Sequence, residues 1–114
     1  MQEKRRYIRV KPKPEEPIEV QLIGRNFIDV LYAKDISEGG IGIIVEHDFK
    51  GYDIGGLIDI IITLPKKKPF KIKGRIIHKN IDNHFFGVEF IDISDTNREM
   101  IREYVQKRLE EDSI

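Results

Sequence analysis

The sequence predicts a mostly β domain, in which six short antiparallel strands form a small barrel and one C-terminal helix follows. Apolar and polar residues alternate in short segments between residues 18 and 91, and Gly, Pro and Asn mark the turns between them. From residue 95 the apolar residues recur every three to four positions, which is the period of a helix. Short strands in such a series favour a closed barrel, because closure leaves no long unpaired sheet edge.

The predicted strands follow from this alternation and from the turn residues between them. They span residues 18–23, 27–33, 41–45, 57–64, 70–78 and 85–91. The fourth is rich in β-branched residues and too short for a typical helix, which favours a strand. The sections between the strands, including 35–40 and 47–56, are predicted to be turns or loops, because glycine, asparagine and aspartate are frequent in them.

The C-terminal segment predicts an amphipathic helix over residues 95–111. Ser94, Asp95 or Thr96 can cap its first turn, and Thr96 with Glu99 fits a capping box. One apolar stripe runs along this helix, formed by Met100, Ile101, Tyr104, Val105 and Leu109. We expect the stripe to pack on the barrel; a surface for a partner or for self-association is the alternative.

Composition narrows the possible classes of protein. The chain has 114 residues, enough for one domain with a modest core, and its 20 basic residues balance its 20 acidic residues. The cations are clustered in residues 1–14 and 66–75, a pattern that suits a discrete anionic ligand better than indiscriminate nucleic-acid coating. The absence of cysteine excludes disulfides. With neither a signal peptide nor an apolar span in the sequence, we expect a cytoplasmic protein without a membrane anchor.

Two short motifs carry the chemistry. Lys4-Arg5-Arg6-Tyr7-Ile8-Arg9 lies in a proline-rich leader, residues 1–17, which we expect to be flexible and without continuous regular structure. Asp35-Ile36-Ser37-Glu38-Gly39-Gly40 lies between two apolar segments. The planar guanidinium group of arginine can donate two parallel hydrogen bonds, which suits phosphate oxygens and the O6/N7 edge of guanine. A carboxylate suits the donors on the opposite edge of guanine. Together the motifs indicate a site for an anionic ligand that contains guanine.

The pair of motifs resembles the signature of the PilZ domain family, which binds the bacterial second messenger cyclic di-GMP. The resemblance rests on Arg5-x-x-x-Arg9 followed by Asp35-x-Ser37-x-x-Gly40, and Gly87-Val88-Glu89-Phe90 is similar to the closing strand of the family. It implies a PilZ-type six-stranded antiparallel β-barrel over 18–93, with an arginine leader before it and a helix after it. One single-domain member would then span residues 1–114.

The resemblance implies a role for each arginine of the leader. Arg5 and Arg9 would grip the phosphates and guanine edges of cyclic di-GMP, and Arg6 would add a phosphate contact or stack on a guanine face. Lys4 lies where the family tunes its stoichiometry, so one and two ligands per chain both remain open. A ligand that neutralises these arginines would fold the leader over the barrel. A solvated basic tail is the alternative for the leader taken alone.

The second motif and one histidine complete the predicted site. Asp35 would accept hydrogen bonds from guanine N1–H and its exocyclic amine, and Ser37 would supply a further hydrogen bond. Gly39 and Gly40 would keep the floor of the site open. An ordinary turn explains Asp35 and Ser37 about as well when the arginines are ignored. His78 stands where the family often has a stacking aromatic residue; an ordinary surface histidine is the alternative.

We do not expect an enzyme, a cofactor or a metal site. The three histidines lack metal-ligand spacing, no cysteine can join them, and no phosphate-binding glycine loop or nucleophile elbow occurs. The resemblance implies a regulatory receptor that signals to a protein partner in trans, with motility or exopolysaccharide synthesis among the outputs of the family. A degenerate scaffold that binds only protein and a small nucleic-acid-binding barrel are the alternatives.

Overall fold

Six antiparallel strands close into a barrel in the computed structural model, which describes residues 7–24, 28–45 and 52–112. The elements in chain order are β1 (Glu19–Ile23), β2 (Ile28–Ile36), β3 (Gly40–Ile44), β4 (Leu57–Thr63), β5 (Phe70–Asn80), β6 (Phe85–Ile91) and α1 (Asp95–Asp112). Around the barrel the strands follow the order β1-β2-β3-β6-β5-β4, and β4 closes onto β1. The predicted fold is therefore confirmed. Phe27 and residues 47–51 of the predicted loop lie outside the described residues.

The barrel interior is filled by the apolar residues that alternate along each strand. Successive side chains of a strand point to opposite faces, so every second residue can be buried. Aliphatic and aromatic side chains from all six strands are nearly inaccessible: Val20, Leu22, Ile36, Ile41, Ile43, Ile60, Ile62, Ile76, Phe86 and Val88. Full burial of one such side chain is worth about 1.5–3 kcal/mol, which makes this core the main source of stability.

Strand β2 extends further than the sequence predicts. Asp35 and Ile36 belong to the strand, whereas the alternation indicated a turn from Asp35 onward. The pairing of β2 with β3 shifts between Ala33 and Asp35, which makes Lys34 the extra residue of a β-bulge. A bulge breaks the strict alternation and re-aims the side chains that follow it. This local break explains why the end of the strand looked like a turn.

Helix α1 packs its apolar stripe on the barrel, as predicted. Ile101 and Val105 are buried, and the other three residues of the stripe are partly buried against the core. Ser94, one of the three predicted caps, accepts the Asn97 amide through its hydroxyl at 3.1 Å, whereas the box of Thr96 with Glu99 remains a prediction. In the described ranges no helix combines the length and apolarity needed to cross a bilayer.

The described part of the leader is attached to the barrel and to α1. Val10 is buried and forms an isolated antiparallel bridge with Ile36. Each backbone N–H donates to the carbonyl of the other residue, and both N···O distances are 3.0 Å. The backbone carbonyl of Lys11 accepts a hydrogen bond from Nε of the buried Arg108 at 2.7 Å. The leader is thus in contact with the barrel and α1 at Val10 and Lys11, and its flexibility remains a prediction. Val10, an apolar residue between two charged neighbours, is the point at which this segment enters the core.

Candidate functional site

The bridge between Val10 and Ile36 brings the two sequence motifs together. Val10 directly follows Arg9, and Ile36 directly follows Asp35. The backbone pairing therefore sets the two charged side chains beside each other. Arg9 Nη1 lies 2.7 Å from Asp35 Oδ1, across 26 positions of sequence. This contact is the centre of the candidate site.

Asp35 is a carboxylate with a cation on each oxygen. Arg9 donates to Oδ1, and Lys34 Nζ lies 3.2 Å from Oδ2. The Asp35 side chain is 16% exposed and that of Arg9 is 30% exposed, so the pair lies at the rim of the barrel within reach of solvent. Arginine carries five N–H donors, and the contact with Asp35 uses one of them in this structure. The pair can thus bind an acceptor through Arg9 and a donor through Asp35.

Ser37 closes the turn that follows β2. Its hydroxyl accepts the Gly39 amide at 3.1 Å, and its own amide donates to the Gly40 carbonyl at 2.9 Å. The Ser37 residue is buried, at 3% exposure. These local hydrogen bonds are those of an ordinary turn, which was the alternative explanation of Asp35 and Ser37 in the sequence analysis. The ligand contact predicted for Ser37 remains a prediction.

Gly39 and Gly40 each have protein atoms close to the place where a Cβ would lie. A Cβ on Gly40 would overlap the backbone carbonyl oxygen of Val88 in β6. A Cβ on Gly39 would lie 2.7 Å from the ring of Tyr7. The missing Cβ at both positions therefore allows the turn to pack closely, and the open floor expected of the two glycines remains a prediction.

His78 lies on β5, at the end of a short row of side chains that leads to Asp35. Its ring centroid is 5.6 Å from that of Phe85, and Lys34 Nζ stands 4.6 Å from the Phe85 centroid. Lys34 in turn contacts Asp35. The row places an exposed imidazole, a half-buried phenyl ring and an ammonium group beside the ion pair. Whether His78 stacks on a ligand stays a prediction.

Three residues of the site were missed from the sequence. Lys34 and Phe85 are 51 positions apart and meet only because β3 and β6 pair between them. Gly42 pairs with Asp35 across the β2–β3 ladder, and a Cβ on it would lie 2.7 Å from Asp35 Oδ1. No local sequence signal marks these contacts. Arg5 and Arg6 lie outside the described residues, so their predicted contacts remain predictions.

Several solved structures share this fold. The PilZ domain of YcgR from Escherichia coli, solved with c-di-GMP, has a TM-score of 0.77 at 18% identity and covers 96% of this chain and 94% of its own. The MrkH–c-di-GMP complex of K. pneumonia has a TM-score of 0.79 at 16% identity, over 97% of this chain and 55% of its own. The Bacillus subtilis inhibitor of motility MotI/DgrA has a TM-score of 0.77 at 17% identity, over 95% and 53%.

Sequence comparison gives the family. An uncharacterized protein of Aquifex aeolicus (strain VF5) is 32% identical over 120 residues, which cover 95% of this chain and 52% of that protein. The chain thus spans about half the length of this relative and of MotI/DgrA. The family model of the PilZ domain matches residues 3–107, a range that contains both motifs and every strand. This chain belongs to the PilZ domain family.

Proposed function

We propose that this protein is a regulatory receptor for cyclic di-GMP. The observation that supports the proposal best is the ion pair between Arg9 and Asp35, which unites the two PilZ motifs at 2.7 Å. Membership of the family supports it too, as do the YcgR and MrkH structures, which contain c-di-GMP. The proposal needs no chemical step, because the site only has to bind and release its ligand.

Each charged group of the site has a partner in such a ligand. The free donors of Arg9 suit a phosphate oxygen or the O6/N7 edge of a guanine. Asp35 suits the N1–H and exocyclic amine of a guanine, both of which need an acceptor. Lys34 adds a positive charge beside the carboxylate and thereby favours an anion. Arg5 and Arg6 would contribute further phosphate contacts from the segment before Tyr7.

A receptor of this kind would act through a second protein. The described residues consist of the barrel, its leader and one helix, and the ligand would change their surface rather than a substrate. We therefore propose that the output is exerted on a partner in trans, in the cytoplasm, where a nucleotide second messenger is made. Motility and exopolysaccharide synthesis are candidate outputs because the family serves them. In a longer protein the same signal would pass to a neighbouring domain.

Calorimetric titration with cyclic di-GMP tests the proposal. We expect selective binding over GTP and cyclic GMP, and a stoichiometry of one or two ligands per chain. Loss of one partner of a desolvated, hydrogen-bonded charge pair costs about 2–5 kcal/mol. Since each 1.4 kcal/mol is about a factor of ten, Arg9→Ala and Asp35→Ala should each weaken binding at least about thirtyfold.

Two controls make this test specific. Lys73→Ala removes an exposed cation that pairs with Asp59 on another part of the barrel, so we expect it to bind as the wild type does. The Arg9 and Asp35 variants should keep a cooperative thermal unfolding transition, because the pair lies at the rim and outside the apolar core. If both variants bound cyclic di-GMP with wild-type affinity, the assignment of the site would be wrong. A wild-type protein that binds an acidic protein or single-stranded RNA but no cyclic di-GMP would support the alternatives.

A further inference from the structure

Each of the two motifs holds, between its ligand-directed residues, a side chain that contacts helix α1. Tyr7 stands between Arg5 and Arg9 in the first motif. Glu38 stands between Ser37 and Gly39 in the second. Both residues occupy positions that the motif leaves unspecified. Their contacts with the helix show what these positions do in this chain.

Tyr7 is held between the motif turn and Arg98. Its ring fills the space beside Gly39, where a Cβ would come within 2.7 Å of the ring. Arg98 Nη1 donates to the Tyr7 hydroxyl at 3.1 Å, and the centre of the Arg98 guanidinium lies 5.7 Å from the ring centroid. The contact therefore combines a hydrogen bond with a cation–π arrangement. It attaches the leader to α1 two residues before Arg9.

Glu38 is held by Arg102 through two parallel hydrogen bonds. Arg102 Nε lies 3.3 Å from Glu38 Oε2, and Arg102 Nη2 lies 3.3 Å from Oε1. A guanidinium that meets both oxygens of a carboxylate fixes its direction as well as its distance. The Glu38 side chain is 19% exposed and that of Arg102 is 49% exposed, so solvent reaches the contact from the side of the arginine. It attaches the turn to α1 three residues after Asp35.

Arg98 and Arg102 are four positions apart, so they stand on one face of the helix. This face contacts the leader through the first arginine and the turn through the second. The relative position of Arg9 and Asp35 is consequently fixed twice, once by their own ion pair and once through α1. A rigid helix that contacts both halves of a site is suited to set the distance between them.

We infer that Arg98 and Arg102 are positioning residues for the ligand site, and that α1 docking and ligand binding are coupled through them. The inference rests on the proposed function, because it concerns the affinity of that same site. Coupling is reciprocal. A ligand that holds the two motifs together should therefore strengthen the docking of α1 on the barrel, and a change that weakens this docking should lower the affinity for the ligand. The helix then becomes the element through which occupancy of the site is transmitted.

A double-mutant cycle on Glu38 and Arg102 tests the coupling. We expect Glu38→Gln and Arg102→Gln each to weaken cyclic di-GMP binding about 1.4-fold to fivefold, from the measured range of ion-pair couplings and the tenfold-per-1.4 kcal/mol conversion. The double variant should lose no more than either single variant, because each change breaks the same contact. Losses that add up, or single variants that bind like the wild type, would overturn the inference.

Glu99→Gln is the matched control. Glu99 is the other carboxylate that Arg102 contacts, with Nη1 to Oε1 at 3.0 Å, and it lies on α1 itself. The substitution removes a charge partner of the same arginine while leaving Glu38 in place. We expect unchanged affinity for cyclic di-GMP. A loss equal to that of Glu38→Gln would mean that Arg102 acts through helix stability alone, and would overturn the inference.

Amide hydrogen exchange without ligand separates this inference from the proposed function. The Val10 amide donates a hydrogen bond to Ile36 O at 3.0 Å, so its exchange rate measures how firmly the leader is attached to the barrel. The exchange rate of the Ile60 amide in β4 measures the stability of the barrel itself. We expect Arg98→Met to speed exchange at Val10 at least about fivefold and to leave Ile60 unchanged. Failure of the wild type to bind cyclic di-GMP would refute the proposed function only. Unchanged exchange at Val10 would refute the positioning role.

Discussion

Gly42 offers the sharpest single test of the site geometry. It pairs with Asp35 across the β2–β3 ladder, and a Cβ on it would lie 2.7 Å from Asp35 Oδ1 and 3.3 Å from Cγ. The same oxygen accepts the hydrogen bond from Arg9. Gly42→Ala therefore adds one methyl group directly against the atom that joins the two motifs. It changes no charged group and no motif residue.

The size of the effect follows from these distances. To reach ordinary van der Waals contact at 3.4 Å, the carboxylate oxygen has to retreat by about 0.7 Å. If the retreat is directed away from Arg9, it lengthens the 2.7 Å contact to about 3.4 Å, beyond the range of a normal N–H···O bond. A hydrogen bond to a charged group contributes about 1.5–3 kcal/mol, so the affinity for cyclic di-GMP should fall about tenfold to a hundredfold.

Gly87→Ala is the matched control, because Gly87 pairs with Gly42 on the adjacent strand β6. A Cβ on Gly87 would lie 3.6 Å from the His78 Cβ, which is ordinary contact. Both substitutions reduce the entropy of the unfolded chain by the same amount, worth about 0.4–1 kcal/mol of stability. Titration calorimetry should show weakened binding for Gly42→Ala and near wild-type binding for Gly87→Ala. Equal affinities for the two variants would refute the role assigned to the Asp35 oxygen.

Two further predictions concern the barrel itself. Gly40→Ala should lower the free energy of unfolding by about 1–3 kcal/mol in urea denaturation, because the new Cβ overlaps the Val88 carbonyl and a backbone group cannot easily move away. Gly39→Ala should lower it less, because its Cβ meets the ring of Tyr7, which can move. A larger loss of stability for Gly39→Ala than for Gly40→Ala would contradict the packing argument. Burial and the hydrogen bond to Asp29 raise the pKa of Tyr52 above its usual value, so the unfolded chain releases this proton first as pH rises above about 10. The stability advantage of the wild type over Tyr52→Phe should therefore be constant below about pH 10 and shrink above it; a difference that stays constant to higher pH would contradict this.

The fold was predictable because its signals are local. Alternation of period two, turn residues and a helical stripe each extend over a few residues, and the strands they predict differ from the observed ones mainly at their ends. The largest difference is at the end of β2, where Lys34 forms a bulge and Ile36 pairs with Val10. That pairing joins residues 26 positions apart, and no local pattern indicates it.

The candidate site was predictable only at the residues that belong to a sequence motif. Arg9 and Asp35 were expected together because the two motifs recur as a pair, and the structure places them in contact. Lys34 and Phe85 belong to no motif, and their contact depends on the register of β3 with β6. Gly42 looked like an ordinary strand glycine. Its importance depends on the direction in which the Asp35 carboxylate points.

The ion pair changes the expected energetics of binding. A wholly flexible leader would be ordered only when the ligand arrives, and that ordering would oppose binding. In this structure Val10 is already buried, Lys11 is bonded to Arg108, and Arg9 already contacts Asp35. The ordering cost of this part of the leader is therefore met when the protein folds. An ionised carboxylate has about four acceptor sites, so Asp35 can accept hydrogen bonds from a guanine while it keeps its contacts with Arg9 and Lys34. Because Asp35 already neutralises part of the positive charge of Arg9 and Lys34, the affinity should depend on ionic strength less steeply than the number of cations at the site suggests.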